Sequence, residues 1–336
     1  MSFRIQLLGL AVVVIFAGWS AFWWFAASTV DEASADAIRN AGSRGMVVEC
    51  GDRVVRGWPF RLTLVCDGAL LETPDHRVAS DGLRAVAQVY DPTHLIVEAD
   101  APFEYAGNAL PGRLGASWNT GHASFHLRDR AVDRASIAFS EIGVTTEALT
   151  PLSAPKAERL ELHVRGSEES LDLDVALLIR TFSATLANQD LPEADFDAAI
   201  TLTGGRYLLV GQNRRFLEAF TSENGILTVH RALLTIGDAQ VEVSGRFSLS
   251  PDGVLSGDPT IAIADPEALG RELARIPGLN VEPIRPVLSA LSGFGAETTI
   301  DDRPARSVGL SIRDGNVAAG LIPLGRLPPV TLPVAE

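Results

Sequence analysis

An apolar stretch without a charged residue runs from Ile5 to Ala27, with Arg4 before it and Asp31 and Glu32 after it. At about 1.5 Å per helical residue it exceeds the roughly 20 residues that cross a hydrocarbon core. The pattern predicts a membrane-spanning helix through residues 5–27, inside an anchor segment 1–28. Trp19, Trp23 and Trp24 lie towards its C-terminal end, where indoles favour the membrane–water interface. Arg4 and the amino terminus place the leading residues on the cytoplasmic side and everything after Ala27 on the other. Ala26-Ala27-Ser28 offers small residues at the spacing a signal peptidase reads, so cleavage is the alternative. The run is longer than a usual signal-peptide core of about 7–15 residues and carries bulky aromatics beside that point, which favours a retained anchor.

After the anchor the periodicity changes twice. Residues 29–45 predict a helical stalk: Ala33, Ala35, Ala37 and Ile38 favour helix, Asp31 and Glu32 suit its positive end, and Gly42 and Gly45 can stop it. From residue 46 to 336 the rhythm is that of half-buried strands. Apolar and polar residues alternate over 123–128, 160–165, 171–175, 241–244, 246–250 and 307–313. Asp67-Gly68, Asp81-Gly82, Asn224-Gly225, Asp252-Gly253 and Asp314-Gly315 are dipeptides that accept the positive φ of hairpin turns. Helices are expected over Arg214–Ser222, from Asp265-Pro266 to about Ile276, and over Ile284–Leu291. The fold class is α+β: an N-terminal transmembrane helix followed by a long, twisted, mainly antiparallel β-sheet with a few packed helices. The β-rich part, 46–336, divides into two halves meeting near residues 185–200.

Cys50 and Cys66 are the only cysteines, each inside a short apolar, β-branched run. Trp58 is midway between them in Arg56-Gly57-Trp58-Pro59, a plausible reversal that would set the two cysteines opposite each other in a hairpin. An oxidising compartment would let them pair as a disulfide; two buried free thiols are the other arrangement. A zinc site would be half-built without nearby histidines.

Composition narrows the partners. The net charge of −14, from 42 acidic and 28 basic residues, argues against nucleic acid, because such a chain is repelled by a phosphate backbone. Apolar residues make up 46% and charged residues 21%, which describes a chain that can bury a core. Lys156 is the sole lysine beside many arginines.

Two stretches carry a resemblance. Gly225-Ile226-Leu227-Thr228-Val229 followed by Val243 to Gly257, a glycine, strand, aspartate-glycine, leucine, glycine series, is similar to the strand-and-turn signature of AsmA-like envelope proteins. Gly57-Trp58-Pro59-Phe60 and the closing Gly320-Leu321-Ile322-Pro323-Leu324-Gly325-Arg326-Leu327-Pro328-Pro329-Val330 more closely resemble a Gram-negative family known as domain of unknown function 2125. That resemblance supplies no catalytic residues. By analogy with AsmA-like proteins it implies work on lipids or outer-membrane assembly; with residues 5–27 anchored in the inner membrane, the expectation is a periplasmic domain whose partner is lipid or another envelope protein.

Candidate chemistry is sparse. The chain lacks a Gly-x-Ser-x-Gly elbow, a Gly-x-Gly-x-x-Gly fingerprint and a phosphate-binding loop. His122 and His126 are four residues apart, but on a strand that spacing separates them by about 13 Å along the chain, which does not suit a shared metal. Asp75-His76 and Asp172/Asp174 read as turn acids and the wet face of a strand. The expected role is a non-catalytic binding or scaffold module in envelope or lipid homeostasis, with no cofactor. An extracytoplasmic hydrolase lacking a recognisable motif is the alternative, and it would need His, Asp or Ser side chains to converge in one pocket.

Overall fold

The computed structural model describes residues 2–107, 110–129, 131–146, 151–221, 225–282, 284, 288, 293 and 295–330. It has a long N-terminal apolar helix and then a large antiparallel β-sheet with a few short helices. The described chain falls into two compact units, residues 1–127 with 144–148, and residues 128–143 with 149–336.

In the first unit, helix α1 (Ser2–Ser43) runs unbroken through the apolar stretch and the stalk, about 63 Å at 1.5 Å per residue. Gly42 stays inside it; the stop comes at Gly45, where φ is +77° and the Met46 N–H returns to the Ala41 carbonyl at 3.1 Å. Seven strands follow: β1 (Val47–Cys50), β2 (Val54–Arg56), β3 (Arg61–Glu72), β4 (His76–Gln88), β5 (Asp91–Gly107), β6 (Leu110–Ser117) and β7 (Thr120–Arg128). β1 and β2 both pair with β3, β3 with β4, and β4 with β5. β5 is long enough to pair with β6 near one end and with β7 near the other.

Two of the anticipated turns are not turns. Asp67-Gly68 lies inside β3 and Asp81-Gly82 inside β4, and Asp67 and Gly82 are partners across the ladder. Gly68 takes φ +83°, which shifts the alternation of β3 without reversing the chain. Gly82 lets the Asp100 carboxylate approach closely: an added Cβ would lie 2.5 Å from its oxygen, which would have to shift. Asp252-Gly253 and Asp314-Gly315 do sit at reversals, with Gly253 at φ +75° and Gly315 at φ +79°. Asn224 and much of 284–291, where a turn and a helix are expected, lie outside the described residues.

The second unit is a meander. β8 (Ala131–Thr146) pairs with β9 (Leu152–Gly166), which pairs with β10 (Leu173–Leu186). A two-residue β11 (Gln189–Asp190) closes onto the end of β10, and β12 (Ala194–Leu202) pairs along it, so residues 185–200 form one continuous hairpin. A single-turn helix α2 (Arg206–Leu209) and then α3 (Asn213–Phe220) lead to β13 (Ile226–Ile236), β14 (Ala239–Leu249) and β15 (Leu255–Ala264). Helix α4 (Pro266–Ala274) starts where Asp265 accepts the Ala268 N–H at 2.8 Å, with proline at its first turn. Its Ala268 and Leu269 pack on Ile236, Ala239 and Ile263. A separate cluster gathers Leu233, Ala262, Ala264, Ile300 and Ala305. The last strands are β16 (Ala296–Ile300), β17 (Arg303–Gly309), β18 (Ser311–Arg313), β19 (Asn316–Ala319) and β20 (Ile322–Arg326); the expected single strand over 307–313 is broken at Leu310.

Candidate functional site

The first unit has one strongly apolar sheet face. Strand pairing puts Leu71, Ala69, Cys66, Leu64 and Leu62 of β3 beside Val78, Ser80, Leu83, Ala85 and Ala87 of β4. Those in turn neighbour Phe103, Ala99, Val97 and Leu95 of β5. Ser80 and, at the end of the series beside Val78, Tyr105 are its polar side chains; the Ser80 hydroxyl donates to the Gly82 and Asp100 carbonyls. The opposite face carries the charges: Arg84 is held by Glu98 at 2.9 Å and by both Asp100 oxygens at 2.7 and 2.8 Å. Those hydrogen bonds, Asp100 first, raise the Arg84 guanidinium further above its ordinary range. One face is thus committed to water and the other to apolar contact.

Cys50 and Cys66 form a disulfide on the apolar face, with Cα atoms 4.8 Å apart. Their register is not the one expected from the midpoint at Trp58. The reversal sits between Pro59 and Phe60, so Cys50 is paired with Ala69, not Cys66. Gly51 closes the gap: its N–H donates to the Gly68 carbonyl and its own carbonyl accepts from Asp67 at 2.7 Å. A Cβ there would lie 2.1 Å from the Asp67 carbonyl oxygen, so glycine permits the close approach.

Helix α1 faces this unit along an i, i+3/i+4 stripe. Phe16 packs edge-on against Trp58 at 5.4 Å, and the Trp19 and Trp23 indoles donate to the Pro59 and Arg61 carbonyls at 2.9 and 2.8 Å. Ala27 and Ala41 are buried. Between them Arg53 is the clasp: its guanidinium reaches the Asp31 carboxylate at 2.9 Å, the Asp31 carbonyl and the Ser34 hydroxyl. The helix does not fill the space beneath it. Ser34, Ala37 and Ile38 roof a groove of about 380 Å³ whose floor is Cys50, Cys66, Ala69, Leu83, Ala99 and Phe103. This volume falls within the range of small-molecule sites, roughly 300–1,000 Å³, and its lining is nearly all apolar. Removing the clasp by Arg53→Ala is expected to cost about 1–2 kcal/mol, lowering the thermal midpoint by about 2–8 °C. Limited proteolysis should then cut faster within 29–45.

The histidines are placed as follows. His122 and His126 share β7; the His126 ring stacks on His94 at 4.1 Å, and His94 Nε2 is 2.9 Å from the Ser124 hydroxyl. Nearby Asp91 is held below the usual carboxylate range, chiefly by the Thr93 hydroxyl. His76 Nδ1 contacts the Tyr105 hydroxyl at 3.0 Å. Asp172 accepts the Gly204 N–H, while Asp174 is held low by Arg165, against the opposing effect of burial, with Thr201 assisting. Among the described residues no group of three His, Cys, Asp or Glu is arranged to hold a metal ion.

One arrangement escaped sequence reasoning. On the second unit, Ser136 of β8 and His163 of β9 are cross-strand partners, with His163 Nδ1 2.9 Å from the Ser136 hydroxyl and Nε2 3.2 Å from Glu161. Burial pushes the Glu161 carboxyl up, but hydrogen bonds from His163 and Arg159 outweigh it and hold the group low. The series borders an open depression shared with Arg134, Arg165, Asp174 and His230. Only strand register brings Ser136 to His163, 27 residues away, and no sequence motif marks it.

Among the described residues one long apolar helix precedes an antiparallel sheet, which defines a class of β-sheet protein with an N-terminal anchor or signal helix, and with the disulfide it points to an extracytoplasmic location. More narrowly, residues 23–328 match the family DUF2125, described as an uncharacterized protein conserved in bacteria, and the chain belongs to that family. No curated protein and no solved structure matches the chain.

Proposed function

We propose that this protein is a single-pass inner-membrane protein whose periplasmic sheet binds one acyl chain of a membrane lipid in the groove beneath α1. It would serve as a binding or scaffold module in envelope or lipid homeostasis. The observation that carries this reading is the apolar groove itself, roofed by the helix that would emerge from the bilayer. About ten methylenes held there at ~0.8 kcal/mol each supply roughly 8 kcal/mol before ordering costs, enough for retention during purification. The retained helix is supported by the Trp19 and Trp23 indole contacts with the Pro59 and Arg61 carbonyls, which cleavage after Ala27 would remove. The test is lipid analysis of the full-length protein purified from membranes, compared with a groove-filled variant.

A second reading has one specific observation in its favour. Ser136, His163 and Glu161 have the contacts of a nucleophile, a base and an orienting acid. Strand alternation and cross-strand pairing account for the same contacts on a wet face. We expect no labelling by a fluorophosphonate probe on intact protein. Labelling that disappears in Ser136→Ala would replace the binding reading with a hydrolase.

A further inference from the structure

We infer that the β2–β3 turn and the β4–β5 turn together enter the outer leaflet of the membrane that α1 crosses, so that the first unit is seated in the lipid surface and not merely tethered above it. The inference rests on α1 crossing a bilayer and is independent of whether the groove holds a lipid.

Depth comes first. The turn at Gly57–Phe60 is fixed to α1 at Phe16, Trp19 and Trp23. Phe16 and Trp19 precede Ala27 by eleven and eight residues, so the turn reaches about 12–17 Å back along the apolar run. Where Trp19, Trp23 and Trp24 mark the interface, this turn lies at the level of the lipid headgroups or just below; where the whole run to Ala27 lies in the hydrocarbon, it lies deeper still.

The turn is built for that depth. Backbone at membrane level is tolerated only where its polar groups are satisfied within the protein. The Gly57 carbonyl accepts from Arg61 at 2.9 Å, and the Phe60 carbonyl accepts from Val89 at 3.1 Å. The Pro59 and Arg61 carbonyls accept the two indoles, and Pro59 has no N–H to strand. The indoles are satisfied by the same bonds, as donors in a low dielectric must be.

The side chains agree. Trp58 is 48% exposed, Phe60 59% and Tyr90, at the adjoining turn, 69%. Aromatic residues of this kind prefer the interface, and the exposed Arg56 and Arg61 flank them with charge suited to anionic headgroups. The apolar face continues from the groove through Leu64, Ala85 and Val97 to Leu62, Ala87 and Leu95, near the strand ends that carry Phe60 and Tyr90. A lipid tail could thus pass from the leaflet to the groove along one uninterrupted apolar surface.

The test uses the full chain with its disulfide intact, reconstituted in phosphatidylethanolamine/phosphatidylglycerol vesicles. A spin label is attached in turn at Phe60→Cys, Tyr90→Cys, Pro74→Cys and Val13→Cys. Pro74 belongs to the turn at the other end of the β3–β4 hairpin, and Val13 lies within the apolar run of α1. Collision rates with oxygen and with a water-soluble nickel chelate give depth. We expect the oxygen-to-nickel ratio at positions 60 and 90 to be several-fold above that at 74 and to approach that at 13. Ratios at 60 and 90 equal to that at 74, with 13 in lipid, overturn the inference while leaving α1 in the membrane. A water-exposed label at 13 overturns both. Tyr90 lies in a separate turn from Phe60, so failure of one variant to fold leaves the other to decide.

Discussion

Ala69→Phe is expected to abolish the proposed lipid binding while leaving the protein folded. Ala69 is half-buried on the floor of the groove, paired with Cys50 on one side and Ser80 on the other, and its side chain is on the apolar face below Ala37 and Ile38. A phenyl ring there occupies space that an acyl chain would use. Because the groove is open, the ring need not force its neighbours apart, so stability should change by less than about 1 kcal/mol. Lipid occupancy should fall at least ten-fold, equivalent to a loss of about 1.4 kcal/mol in binding. Leu83→Ala supplies the contrast. It enlarges the groove and removes half-buried packing, costing about 1–2 kcal/mol, yet it should keep its lipid. Lipid content and thermal stability thus move in opposite ways in the two variants, a pattern that general misfolding does not produce.

Removing the disulfide should have the largest effect on stability. The bond between Cys50 and Cys66 spans a separation of 16 residues. A loop of that size contributes about 3 kcal/mol by restricting the unfolded chain. Cys50→Ala with Cys66→Ala is therefore expected to lower the melting midpoint by roughly 6–12 °C. Alanine keeps the groove wall apolar, so lipid should stay bound at temperatures well below the transition. A thiol reductant added to the unaltered protein should reproduce the shift and leave the double variant unaffected. Equal midpoints for the two proteins with and without reductant would show that the bridge contributes nothing.

Much of this architecture was legible from local pattern. The charge-free run to Ala27 is long enough to force a helix, Asp265-Pro266 marks the start of α4, and alternation such as Leu160-Glu161-Leu162 can only be a half-buried strand. Asp67-Gly68 misled because the positive φ of Gly68 serves a shift within a strand as readily as a hairpin turn, and Asp81-Gly82 because a glycine also serves close approach to a neighbouring side chain, here Asp100. Which one forms depends on the partner strand, which local sequence does not encode. The same limit hid the groove. Its floor comes from β1, β3, β4 and β5 and its roof from α1, so residues separated by up to about 70 positions meet only through register. A signal for the roof was present in the spacing of Phe16, Trp19, Trp23, Ala27, Ser34, Ile38 and Ala41, an i, i+3/i+4 stripe that continues through the apolar run into the stalk. The uniform hydrophobicity of the run masked it, since every face of a spanning helix is apolar. Ser136, His163 and Glu161 were illegible for a simpler reason: two of them alternate on one strand and the third comes from its neighbour.

The central claim is that the groove beneath α1 holds lipid. Its most direct measurement is the amount of lipid extracted per mole of full-length protein after purification in lipid-free detergent, quantified by mass spectrometry for the unaltered chain and for Ala69→Phe. Lipid clinging to the exposed sides of α1 is common to both proteins and cancels. A difference of about one lipid per chain is expected. Equal lipid in the two, at any level, would contradict the claim and leave the sheet as a scaffold.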